Sequence, residues 1–111
     1  MAYDEDLANR VRELLAEELG VIEKGMFGGL AFLIGGHMSV AVSGQGGLLL
    51  HCAAAETDRL LSRPHASPMV MRGRELRGWV RVAEEGLSTK RALRAWVARG
   101  VRHARSLPPK G

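Results

Sequence analysis

Residues with reactive or ligating side chains fall into a few groups in this chain, and the spacing of each decides what it can do. The stretch 25–47, GMFGGLAFLIGGHMSVAVSGQGG, holds eight of the fourteen glycines. Clustered glycines cradle phosphate when a strand delivers them to a helix N-terminus, whose free N–H groups and dipole hold the anion. Here Gly28-Gly29, Gly35-Gly36 and Gly46-Gly47 each lead into another strand-like run. None has the GxGxxG spacing, and no GKS or GKT follows. His37, His51, Cys52, His65 and His103 are the metal-ligand types, but no pair shows the i, i+4 or CxxC spacing of a ligand set. His51 and Cys52 are neighbours on an expected strand, so their side chains point to opposite faces. Ser43, Cys52, His51 and Glu75 could in principle supply a nucleophile and a base, yet no GxSxG, HExxH or framed carboxylate pair joins them. The expectation is a non-enzymatic protein with no catalytic residues, no cofactor and no metal.

Cations show more pattern. Lys90, Arg91, Arg94, Arg99, Arg102 and Arg105 recur along the C-terminal segment, and Arg72, Arg74, Arg77 and Arg81 surround the hairpin before it. Residues 87–111 carry seven basic side chains and no acidic one, whereas residues 1–23 carry two Arg against seven Asp and Glu. Such a segment is a candidate contact for nucleic acid or an acidic partner. Acids near one helix N-terminus and bases near another's C-terminus also complement helix dipoles, and that structural role is the stronger reading. With five aromatics (Tyr3, Phe27, Phe32, Trp79 and Trp96) and no helix-turn-helix pair, base stacking and groove reading are weakly supported.

The elements that must position these residues follow from periodicity. Residues 4–19 place Leu7, Val11, Leu14, Leu15 and Leu19 on one helical stripe, with Asp4 as N-cap and Gly20 as terminator. The period then drops to two. Leu30–Ile34, His37–Ser43 and Leu48–Cys52 read as strands, the second with Met38, Val40 and Val42 on one face. Gly35-Gly36 makes a type I′ turn and residues 44–47 a longer hairpin loop. Ala53–Ser62 is a short helix ended by Arg63-Pro64. Pro68–Met71 and Gly78–Ala83 are strands around a turn at residues 72–75. Ser88 caps a long helix that buries Leu93, Trp96, Val97, Gly100, Val101 and Ala104 and stops at Pro108-Pro109. The order is α-β-β-β-α-β-β-α, which predicts an α+β, two-layer domain over 1–111: a five-stranded antiparallel sheet with helices on one face. On the other face, Phe32, Ile34 and Trp79 are the candidate interface residues for a protein partner or a homodimer.

Bulk properties agree with a globular domain: 111 residues, 46% hydrophobic, 25% charged, net charge +4. No apolar run approaches the roughly 18 residues of a membrane helix, and the acidic start is unlike a secretory signal. A single cysteine excludes an internal disulfide and fits a reducing compartment. The expected location is the cytoplasm, with no membrane contact.

Lys24-Gly-Met-Phe-Gly-Gly-Leu-Ala-Phe-Leu33, Pro68-Met-Val-Met-Arg-Gly-Arg74, Gly78-Trp-Val-Arg-Val82 and Leu107-Pro-Pro-Lys110, flanked by amphipathic helices, resemble the N-terminal domain of the TfoX/Sxy family across nearly the whole chain. The resemblance implies an α+β fold with a five-stranded antiparallel sheet, similar to secretion-chaperone-like folds. It also implies a role among regulators of bacterial DNA-uptake competence that act with a cyclic-AMP-responsive transcription activator. Those members carry a second, C-terminal domain, so a stand-alone first domain is expected here. The family brings no catalytic residues to carry over. Its function, transferred, is that of a protein-interaction module in transcription regulation, with direct nucleic-acid binding by the basic helix as the alternative.

Overall fold

The computed structural model describes residues 3–26 and 28–110. Phe27, in the most specific stretch of the resemblance, lies outside them.

Helix α1 spans Glu5–Leu14. It begins where the sequence says it should, because Asp4 Oδ1 accepts the Leu7 N–H at 3.2 Å and Glu5 and Asp6 face the positive end of the dipole. It stops five residues earlier than its apolar stripe suggests. Leu15 is the last stripe residue to reach the core; Leu19 is 82% exposed, so a longer helix would bury nothing more with it.

Six strands follow, not five: β1 (Val21–Met26), β2 (Gly29–Ile34), β3 (His37–Val42), β4 (Leu48–His51), β5 (Ala66–Met71) and β6 (Arg74–Val82). They form one antiparallel sheet in the order β1-β2-β3-β4-β6-β5. The unexpected strand, β1, is an edge with no continuous apolar face. It is held by its ladder to β2, from Val21 opposite Ile34 to Met26 opposite Gly29, rather than by burial. Between β2 and β3, Gly35 and Gly36 have φ of +61° and +83°, the pair of left-handed conformations that a type I′ turn needs. A 3-10 turn at Ala54–Glu56 leads into the short α2 (Thr57–Leu61), and another at Glu84–Leu87 leads into α3 (Lys90–Ser106). The cap of α3 is Thr89, one residue beyond Ser88: its Oγ1 accepts from the Ala92 N–H at 3.1 Å.

All three helices pack on one sheet face. Leu7, Ala8, Val11 and Leu15 of α1, Leu60 of α2, and Leu93, Trp96 and Val97 of α3 close over Leu30, Phe32, Val40, Val42, Leu48, Leu50, Val80 and Val82. This corrects two of the expected interface residues. Phe32 is 1% exposed in the centre of that core. Ile34 is buried as well, on the same side as Phe32 by the two-residue period and opposite the core-facing Val21.

The alternation expected along β3 breaks too. Phe32 pairs with Val40 but Leu33 pairs with Met38, so Ser39 is an extra residue, a bulge. Val40 and Val42 face the helices, while Met38 joins Ala41 on the opposite face. Buried Ser39 satisfies its hydroxyl by donating to the Phe32 carbonyl at 2.8 Å.

Candidate functional site

Two surfaces of this fold have the chemistry to meet a partner. The first is the sheet face away from the helices. Ala31, Met38, Ala41, Leu49 and Met69 form its centre, with Met26, Leu33, Leu76 and Trp79 partly covered around them. Ile22, paired with Leu33, extends the apolar surface and is 63% exposed. Met71, two residues along β5 from Met69, is exposed as well. The core side chains of the helices named above all lie in the other cluster, and α3 reaches only the margin of this face, where His103 meets the His51 ring. Of the three expected interface residues, Trp79 alone lies here. Its indole stacks on the His51 imidazole, with centroids 4.4 Å apart and planes 23° from parallel.

The second surface is α3. The six cations expected to act together divide into groups. Lys90 lies 3.8 Å from Glu13, and Arg105 is bonded to Glu18 at 2.7 Å and to the Leu19 carbonyl at 3.2 Å. These two tie α3 to the end of α1. Arg99 places its guanidinium carbon over the Trp96 ring, 4.7 Å from its centroid. Arg91, Arg94 and Arg102 are exposed and have no carboxylate partner among the described residues. Two arginines that sequence reasoning passed over, Arg59 and Arg63, come round from α2 to the neighbourhood of Arg99 and Arg102. Of the four hairpin arginines, Arg77 bonds Asp58 and the Ala54 carbonyl, and Arg81 donates to Ser43 Oγ at 3.1 Å.

The residues with catalytic or ligating chemistry are dispersed into structural roles. Cys52 is buried, and that burial pushes its thiol up, away from the reactive thiolate. Ser43 Oγ accepts from Arg81 and from the Gln45 N–H. Glu75 is exposed on β6 near the hairpin turn. No group of three or more His, Cys, Asp or Glu among the described residues could hold a metal ion.

Histidines gather at the C-terminal end of α3. His51 Nδ1 donates to the Met38 carbonyl at 3.2 Å, and the edge of His103 meets the His51 ring at 4.6 Å and 81°. Burial lowers the pKa of both, and the neighbouring imidazoles add to it. His37 Nε2 donates to the Pro108 carbonyl at 2.6 Å, and the Lys110 N–H donates to the Gly35 carbonyl at 2.8 Å. Together they pin the tail after α3 to the β2–β3 turn. Nothing in local spacing announces this cluster, because its members come from two strands and a helix.

A single antiparallel sheet, three helices on one face and an apolar opposite face define an α+β domain with no helix long and apolar enough to cross a membrane among the described residues. Residues 13–104 match the family model of the TfoX N-terminal domain, and the chain belongs to that family. Neither the comparison with curated proteins nor that with solved structures gave a match.

Proposed function

We propose that this domain is a non-enzymatic protein-interaction module of the cytoplasm, working in competence-type transcription regulation, and that it binds other protein surfaces, a second copy of itself included, through the uncovered sheet face. The observation that carries the reading is the apolar cluster of this face, where Met26, Leu33, Leu76 and Trp79 stay partly exposed around a buried centre and Ile22 is exposed beside them. Apolar patches of this kind on a small domain mark contact sites, since burying them against a partner removes them from water. Methionine side chains, three of them in this cluster, adapt to the shape of what they meet. Membership of a family linked to competence regulation supports the regulatory part.

The face is a better docking surface than either edge of the sheet. Charged Glu23 and Lys24 stand on edge strand β1, and Pro68 removes a donor from edge strand β5, both devices that discourage strand addition. Sedimentation at increasing concentration tests the proposal. The mass should climb from the 12.0 kDa of one chain, and Leu33→Asp should hold it there; a Leu33→Asp variant that associates like the parent would remove the sheet face from the account.

A second reading, direct nucleic-acid binding by α3, draws on the exposed and carboxylate-free Arg91, Arg94 and Arg102. It predicts binding that weakens steeply with salt and falls on charge reversal of those three. A gel shift absent even at low salt would dismiss it.

A further inference from the structure

Arg99, Arg102, His103 and Ser106 are spaced three, one and three residues apart, which sets them on one stripe of α3. Facing them are Cys52, Ala53, Glu56 and Leu60, and between the two walls lies a cleft of about 190 Å³. Its floor is apolar, formed by Cys52 and Leu60, both 3% exposed. Its α3 wall is cationic. Glu56, the one carboxylate in the lining, is already engaged by Arg59. That leaves Arg99, Arg102 and nearby Arg63 with no carboxylate partner among the described residues.

Arg99 and Arg102 line the same small cleft, and the partial burial of Arg99 beside an apolar floor adds a desolvation cost to the repulsion between like charges. Burial and the charges of Arg63, Arg102 and Arg59 lower the Arg99 pKa, with Glu56 pulling the other way. An anion between them attracts each guanidinium and offsets their mutual repulsion, with Glu56 opposing it from the facing wall. Arg99 lies over the Trp96 ring, a contact that restricts its side chain before a ligand arrives.

We propose that the cleft between α2 and α3 is a binding site for a phosphate-type oxyanion, gripped by Arg99 and Arg102. Its volume equals that of roughly six liquid waters, enough for one phosphate group and its residual water. A larger ligand inserts its phosphate and leaves the remainder outside. The site lies on the helix side of the sheet, so it stands or falls independently of association through the opposite face.

The test is a titration of inorganic phosphate into the full chain at low ionic strength, followed by the arginine Nε–Hε and tryptophan indole signals in NMR spectra. Saturable shifts of Arg99, Arg102 and Trp96 are expected. Arg99→Gln and Arg102→Gln should each weaken binding about ten-fold or more, the loss expected when a charge-assisted hydrogen bond is removed. Arg91→Gln and Arg94→Gln, on the same helix outside the cleft, should leave it unchanged. A duplex oligonucleotide that displaces the phosphate from Arg99 and Arg102 identifies a nucleic-acid backbone as the source of the anion; phosphate retained in its presence identifies a free small phosphate. Absence of a saturable shift, or equal losses in the cleft and control variants, overturns the proposal.

Discussion

Replacing Gly100 by alanine sets two physical effects against each other. Gly100 lies inside α3, where alanine is the better helix former by about 1 kcal/mol, so local propensity predicts a more stable protein. The packing predicts the reverse. A Cβ at Gly100 would sit 2.8 Å from Val40 Cγ1 and closer still to the carbonyl oxygen of Ser39, whereas ordinary contact begins at 3.4 Å. The Ser39 carbonyl belongs to the β3 bulge and cannot rotate away as a side-chain tip could. Helix α3 must therefore lift from the sheet, loosening Trp96, Val97 and Ala104. Overpacking of this kind costs about 1–3 kcal/mol. With a backbone atom as the obstacle, the cost falls in the upper part of that range and outweighs the propensity gain. The expected net loss is about 1–2 kcal/mol, a fall in Tm of roughly 4–12 °C. Urea and thermal unfolding followed by circular dichroism measure it. A Gly100→Ala variant as stable as the parent, or more so, would refute the close approach of α3 to β3.

The polar contacts of the core make two further predictions. Thr57 Oγ1 accepts the buried Gly78 N–H at 2.8 Å. Thr57→Val strands that donor and should cost about 1–3 kcal/mol, Thr57→Ser much less; equal losses in urea titrations would contradict the role of the hydroxyl. His51 and His103 have folded-state pKa values below the ordinary 6.5. Well above pH 6.5 both folded and unfolded states are neutral at these rings. As pH falls through that value the unfolded chain takes up protons first, so stability should decline until the folded-state values are passed. Tm measured from pH 8 downward should show this slope, and it should flatten in His51→Gln; a pH profile indifferent to that substitution would show that the cluster does not titrate as described.

Much of the architecture was legible in the chain. Asp4 and the leucine stripe place α1, and Gly35-Gly36 places a hairpin whose two left-handed residues are both found. What escaped reading depends on distant partners. The six residues of β1 carry no periodic apolar face, and only their pairing to β2 makes them a strand. The bulge at Ser39 cannot be seen in an alternating run of small and apolar residues. It turns Met38 to the outer face, and the sheet presses its backbone against Gly100, sixty-one positions away. Phe32 and Ile34 alternate correctly, but period alone does not say which face the helices take.

The candidate sites divide the same way. The cationic stripe of α3 could be read from one segment, while its partition could not, because Glu13 and Glu18 come from the N-terminal region to pair with Lys90 and Arg105. Arg99 and Arg102 were named from the sequence, but the approach of Arg59 and Arg63 to them was not, because those two lie far from them along the chain. Family membership came from Lys24–Leu33 and its companion motifs, which describe turns and core rather than a site.

The most direct test of the central claim maps association onto the surface. Amide spectra of the labelled chain recorded from dilute to concentrated solution should show shifts confined to the uncovered face, at Ile22, Ala31, Leu33, Met38, Leu49 and Trp79. The residues of α1 and α3 should stay fixed. Spectra that do not change with concentration, or changes confined to α3, would contradict an interaction module built on the sheet.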